Sequence, residues 1–171
     1  ELSRRFGGQA SRGELLGAGF IADGRDEVLT ATRENLRAGA SQIKVMAGGG
    51  VASSYDPIDV TQYTLEEMQA AVKAAANWGT YVTVHAYTPE SIQRAIDAGV
   101  KCIEHTHLMD DATAKLMAEK GIWLSSQPLP QELGQAFPVG SEERSKFEQV
   151  YAGNDTVYAL ARALPHLSGD T

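Results

Sequence analysis

From about residue 24 onward, apolar and polar positions alternate between the spacing of a helix face and that of a short strand. DEVLTATRENLRAGA carries Val28, Thr32 and Leu36 at intervals of four, and Gly39 follows as a C-terminal stop. QIKVMA is short and apolar, like a buried strand. TLEEMQAAVKAAANWG sets Leu65, Met68, Val72 and Ala75 on one face, opens with the capping-box pair Thr64 and Glu67, and stops at Gly79. YVTVHA is the next strand. TPESIQRAIDAG is a helix with Thr88 as N-cap, Pro89 at its first position and Ile92, Ala95 and Ile96 as its buried stripe. VKCIEH, DDATAKLMAEKG and IWLSSQP continue as strand, helix and strand. A last helix is expected from about Ser141 to Arg162, broken at Gly153.

Strands that alternate with helices of this length run parallel and are joined by crossovers. The stop glycines at 39, 79, 99 and 121 mark the repeat, and the wide gap before Gly79 holds the loop GGGVASSYDPIDVTQY. The pattern predicts an α/β fold, and both a doubly wound sheet and a (β/α)8 barrel satisfy it. With 171 residues the chain suits a single domain. It opens on Glu1 and ends in LPHLSGDT without a closing element, so it reads as a piece of something longer.

Composition narrows the function. Hydrophobic residues make up 43% and charged residues 22%, a soluble globular balance. The net charge is -7 and no basic cluster is present, which argues against a nucleic-acid partner. No apolar run reaches the length of a membrane span and no signal peptide is recognisable, so a membrane partner is not expected. The compartment stays open, with the cytoplasm favoured. The single Cys102 excludes an internal disulfide and reads as a small core residue on the helix-facing side.

The candidate chemistry sits at one phase of the repeat. Lys44 lies five residues after Gly39, His85 six after Gly79 and His105 six after Gly99. Each is therefore expected at or near the C-terminal end of its strand, where parallel α/β folds bind ligands. Alternation puts Ile43 and Val45 on one face, and Val82 and Val84 likewise. Lys44 and His85 then share the opposite face. His105 is expected to join them, although its face-mate Ile103 is apolar and Glu104 would then point outward. A lone histidine at a strand end is ordinarily a hydrogen-bonded packing residue, and a lone strand lysine ordinarily snorkels to solvent. Three such residues at one phase favour a site.

His107, past the strand end, reads as a loop or supporting residue. Glu66 and Glu67 are first-turn helix residues favoured by the dipole. GGGVASS matches no phosphate-loop spacing and reads as a loop whose glycines permit close backbone approach. Tyr87 fits either a packing role or a contact with a substrate carbonyl or carboxylate.

IKVMAGGGVASS, TVHAYTPESIQRAIDAG and KCIEHTHLMDD, in that order, resemble the metal-dependent amidohydrolase superfamily, most closely its imidazolonepropionase-like and prolidase-like branch, over roughly residues 20–130. The resemblance implies a TIM-type (β/α)8 barrel, of which this chain would be an incomplete part, one partial catalytic domain over 1–171 spanning about strand units three to seven. It implies that Lys44 is carboxylated and bridges two divalent metal ions, with zinc expected, and that His85 and His105 are metal ligands. These three residues would be catalytic through the metals, whose activated hydroxide attacks a C–N bond in an amide, small peptide or cyclic amide.

A family barrel also carries a His-x-His pair on its first strand and an aspartate on its eighth. No such pair precedes Lys44, and Asp170 in LSGDT is the one candidate for the aspartate, though the segment before it is short. The chain alone would thus be weak or inactive, and its open strand edges predict a homo-oligomer. Two further readings use the same residues: a Schiff-base lyase with Lys44 as nucleophile, and a non-catalytic domain with structural histidines.

Overall fold

The structure is a computed structural model and describes residues 12–164, so Asp170 lies outside the described residues. A single helical turn, α1 (Arg12–Leu15), precedes α2 (Arg25–Arg37), β1 (Ile43–Met46), α3 (Leu65–Asn77), β2 (Val82–Ala86), α4 (Pro89–Ala98), β3 (Cys102–His105), α5 (Asp111–Glu119) and β4 (Trp123–Ser125). A 3-10 helix (Gln131–Ala136), α6 (Glu142–Ala152) and α7 (Asn154–Ala163) complete the described chain. The four strands form one parallel sheet in the order β1-β2-β3-β4.

Local chemistry places the boundaries. Thr64 and Glu67 make the full capping box, and the side chains of Thr88, Asp110 and Ser141 each accept an amide of the first turn they cap. The four stop glycines all have left-handed φ, from 63° to 101°. The expected last helix does break at Gly153, into α6 and α7. Two short helical pieces, α1 and the 3-10 helix, have no periodic signal in the sequence. β4 ends at Ser125, short of the expected IWLSSQP, because Pro128 and Pro130 follow closely and cannot donate to a ladder.

Helices α2 to α5 pack successively side by side. Their stripes bury Val28, Thr32 and Leu36 from α2, Met68 and Ala75 from α3, and Ile92, Ala95 and Ile96 from α4. Ile43, Val82, Val84 and Ile103 share one sheet face and join this main core. In-register parallel partners lie on a common face, so the opposite face carries Lys44, Thr83 and Cys102 at one level and Met46, His85 and Glu104 at the next.

Two expectations are thereby corrected. Cys102 is only half-buried and faces this second side, not the helices; it follows Thr83 in register. Glu104 points the same way instead of outward, because strict alternation from Cys102 requires it.

A second, smaller apolar cluster forms beyond the C-terminal ends of the strands. It joins Ile58, Tyr87 and Val150, with Val51, Leu108 and Leu129 packed against it, and so lays α6 over the strand-to-helix loops. The joint between α6 and α7 sits tightly on the segment after β3. A Cβ added at Gly153 would lie 1.7 Å from the carbonyl oxygen of His107. Among the described residues no helix is long and apolar enough to cross a membrane. Gly153→Ala is expected to destabilise the chain by about 3 kcal/mol through this backbone clash, read as a lower urea midpoint; an unchanged midpoint would show that the joint can move away from His107.

Candidate functional site

The candidate site spans the C-terminal halves of the strands. His85 is next to last in β2 and His105 ends β3, but Lys44 is the second residue of β1 and does not close it, because the strand runs on to Met46. Lys44 and His85 share the sheet face that the helices leave uncovered, as alternation requires. The Lys44 amine forms an ion pair with Glu104 Oε2, and Thr83 Oγ1 donates to Glu104 Oε1 over 3.1 Å. Glu104 is thus a site residue that sequence reasoning missed. Its signal in the sequence is the two-residue offset from Cys102, which alternation alone would carry to the same face.

His105 reaches the site by a different route. Alternation places it opposite Glu104, on the helix-facing side, yet its ring lies with its centroid 4.5 Å from that of His85, edge to face. The backbone supplies the turn: φ is 77° at His105 and 55° at Thr106, two consecutive non-glycine residues in the left-handed region. Each such residue costs about 1–3 kcal/mol and persists only where surrounding contacts fix it. Here Thr106 Oγ1 and Ser126 Oγ both donate to the His105 carbonyl, each at 2.8 Å, and the Thr106 amide donates to Ala86 O at 3.0 Å.

The glycine loop serves His85. Its Nε2 lies 2.8 Å from the carbonyl oxygen of Gly49, which can only accept, so Nε2 carries the proton and Nδ1 the lone pair. Gly49 has no room for a side chain, since a Cβ there would lie 1.7 Å from Pro57 O. Asp56 gathers the rest of the loop, accepting from the Gly50 amide at 2.9 Å, Ser53 Oγ at 2.6 Å and Gln62 Nε2 at 2.8 Å. Buried Lys146 of α6 donates to the carbonyls of Ser53 and Asp56, and Ser54 Oγ donates to Glu143. This tie has no sequence signature, because a lysine in a helix reads as exposed.

Tyr87 packs edge-on against His85, with ring centroids 4.8 Å apart, and lies 5.4 Å from His105 and 6.0 Å from His107. Burial pushes its phenol up to about 12. His107 is buried, consistent with a supporting position: Nε2 donates to Gln127 O at 3.1 Å, while Nδ1 has no hydrogen-bond partner. Burial lowers the pKa of all three imidazoles. For His105 the value falls to about 4, with the nearby His85 charge as the next cause. The Lys44 charge pushes His85 and His105 the same way, so the amine and both rings share one electrostatic neighbourhood.

Both rings are therefore neutral at neutral pH, the state in which imidazole binds a cation. Among the described residues no three His, Cys, Asp or Glu side chains gather in metal-holding geometry; the chain itself offers two imidazoles and a lysine. The sequence model of the amidohydrolase family matches residues 6–145. The chain belongs to the amidohydrolase family.

Within that family it is 40% identical over 124 residues to the ochratoxinase of Aspergillus niger, a match covering 71% of this chain and 26% of that protein. It superposes on the crystal structure of an amidohydrolase with a TM-score of 0.85 at 37% identity, covering 96% of this chain and 42% of that one. A prolidase structure complexed with N-methylphosphonate-L-proline gives a TM-score of 0.84 at 34% identity, with the same coverage. The four parallel strands are thus a segment of a TIM-type barrel, and the chain spans about a quarter of the length of the curated ochratoxinase it matches.

The depressed histidine pKa values set a pH dependence. The unfolded chain takes up protons near 6.5 and folded His105 only near 4, so the stability contribution is complete above 6.5 and is lost as pH falls through that window. Urea midpoints measured between about pH 7 and 4 are expected to decline with falling pH, and His105→Gln to flatten the decline. An equal slope in the variant would assign the proton uptake to other groups.

Proposed function

We propose that the protein to which this chain belongs is a metal-dependent hydrolase of C–N bonds in an amide, small peptide or cyclic amide. The observation that carries the reading is the pair of neutral imidazoles, His85 and His105, held edge to face beside Lys44. The names of the ochratoxinase and prolidase relatives suit a small amide or peptide substrate. In this reading 1–171 is one incomplete barrel domain spanning about strand units three to seven, with β1, β2 and β3 as strands four, five and six.

Two divalent ions, zinc by the chemistry of the imidazole donors, would be held by Lys44, His85 and His105, with Lys44 carboxylated to bridge them. Such ions supply Lewis-acid polarisation of a carbonyl and acidify water. The chain's own residues do the holding. Gly49 O keeps the His85 proton on Nε2 and leaves Nδ1 free to ligate. Tyr87 walls the rings on one side and keeps them desolvated, hence neutral.

A carbamate on Lys44 is an anion and repels Glu104, so the Lys44–Glu104 ion pair and the carbamate bridge are alternative states of one side chain. The Schiff-base alternative has less support. Lys44 is 44% exposed and paired with a carboxylate, whereas an imine-forming lysine is activated in an apolar pocket or beside another cation. Alone, the chain provides part of the ligand set, so weak turnover and self-association through the edges of β1 and β4 are the expected behaviour.

Zinc or manganese bound by the purified chain, by His85→Ala and by His105→Ala tests the reading. Metal content is expected to fall in both variants, and equal loading of all three proteins would remove the metal assignment. Bicarbonate is expected to raise metal loading of the parent chain but not of Lys44→Ala; bicarbonate dependence that survives in Lys44→Ala would exclude the carbamate.

A further inference from the structure

We infer that Gln127, just beyond β4, is the positioning residue that holds the His105 proton on Nδ1, by accepting it at Oε1, and so leaves Nε2 with the lone pair. The inference rests on the metal reading of His105 for its consequence, but on the geometry of Gln127 for its basis. His105 Nδ1 lies 3.0 Å from Gln127 Oε1 and 2.8 Å from Gln127 Nε2, so both ends of one amide lie within hydrogen-bond reach of a single ring nitrogen.

The two arrangements differ chemically. When Nδ1–H donates to Oε1, Nε2 carries the lone pair and can ligate a cation. When the Gln127 amide NH2 donates to Nδ1, Nε2 carries the proton and cannot. His85 shows the contrast, because a carbonyl oxygen faces its Nε2 and permits one neutral tautomer only. Both amide atoms already lie within reach of Nδ1, so the two states of His105 differ by transfer of the ring proton between Nδ1 and Nε2, by way of solvent, with a small adjustment of the Gln127 amide.

The neighbouring contacts show that the end of β4 is built to hold this segment. Ser126 Oγ donates to the His105 carbonyl at 2.8 Å, and the Gln127 carbonyl accepts from His107 Nε2 at 3.1 Å. Two consecutive residues therefore grip the backbone of His105, its ring, and the ring of His107. The Gln127 backbone contact survives any substitution of its side chain, so the ring contact can be removed separately.

The test compares the parent chain with Gln127→Glu and Gln127→Leu, using long-range proton–nitrogen spectra of His105 near neutral pH without zinc, and zinc affinity by competition. A glutamate can only accept from Nδ1–H. It is expected to hold the tautomer with a free Nε2 and to bind zinc at least as tightly as the parent. Leucine leaves Nδ1 without its partner. It is expected to change the His105 tautomer signature and to weaken zinc binding about 10–100-fold, the usual loss when the hydrogen-bond partner of a ligating histidine is removed. A leucine variant with the parental signature and affinity would overturn the inference while leaving the metal reading intact. A glutamate variant that binds zinc as poorly as leucine would overturn it too. If the leucine variant does not fold, the glutamate comparison decides alone. A parent chain that takes up no zinc would defeat the metal reading, and the zinc-free spectra would still decide the role of Gln127.

Discussion

The parallel, in-register pairing of β1, β2 and β3 is the constraint from which the site follows. Parallel partners rise together, so in-register residues of neighbouring strands share a height and a face, and residues one level apart on that face are neighbours. Lys44, Thr83 and Cys102 form one level, and Met46, His85 and Glu104 the next. No loop has to carry the amine to the first imidazole, because the ladder does it. A slip of one residue in β2 would turn His85 into the main core and bring Val84 to the open face.

A ladder alone does not give reactive groups, and the second layer of construction is desolvation. The apolar cluster of Ile58, Tyr87 and Val150 closes over the strand ends, and Tyr87 belongs both to that cluster and to the histidine group. Tyr87 thus links the packing of α6 to the surroundings of the imidazoles, whose burial favours their neutral state. The buried Lys146 ammonium extends the coupling to the glycine loop by satisfying two of its carbonyls.

Much of this was legible in the sequence, for identifiable reasons. Capping pairs, stop glycines and the stripes of α2 and α4 are local signals, each decided by residues within one or two turns, and the structure follows them closely. The common face of Lys44 and His85 was legible because a regular strand has a fixed period. His105 was legible by its phase in the repeat but not by its direction, since the left-handed backbone at His105 and Thr106 breaks the alternation used to orient it. The same break hid Glu104 and misplaced Cys102. Gln127 and Lys146 were illegible for another reason: their roles depend on partners 22 and about 90 positions away, a separation for which sequence periodicity carries no signal.

The glycine loop divides into a base and a tip with different freedoms. At the base, Gly49 is pressed against Pro57 and presents its carbonyl to His85. At the tip, Tyr55 is 94% exposed. Val51, Ser53 and Ser54 are tied to α6 and to Asp56, so the Tyr55 side chain is the part of the tip that can be exchanged without disturbing the peptide that faces the His85 ring. A loop of this design can change its outermost side chain while the backbone at its base keeps its place.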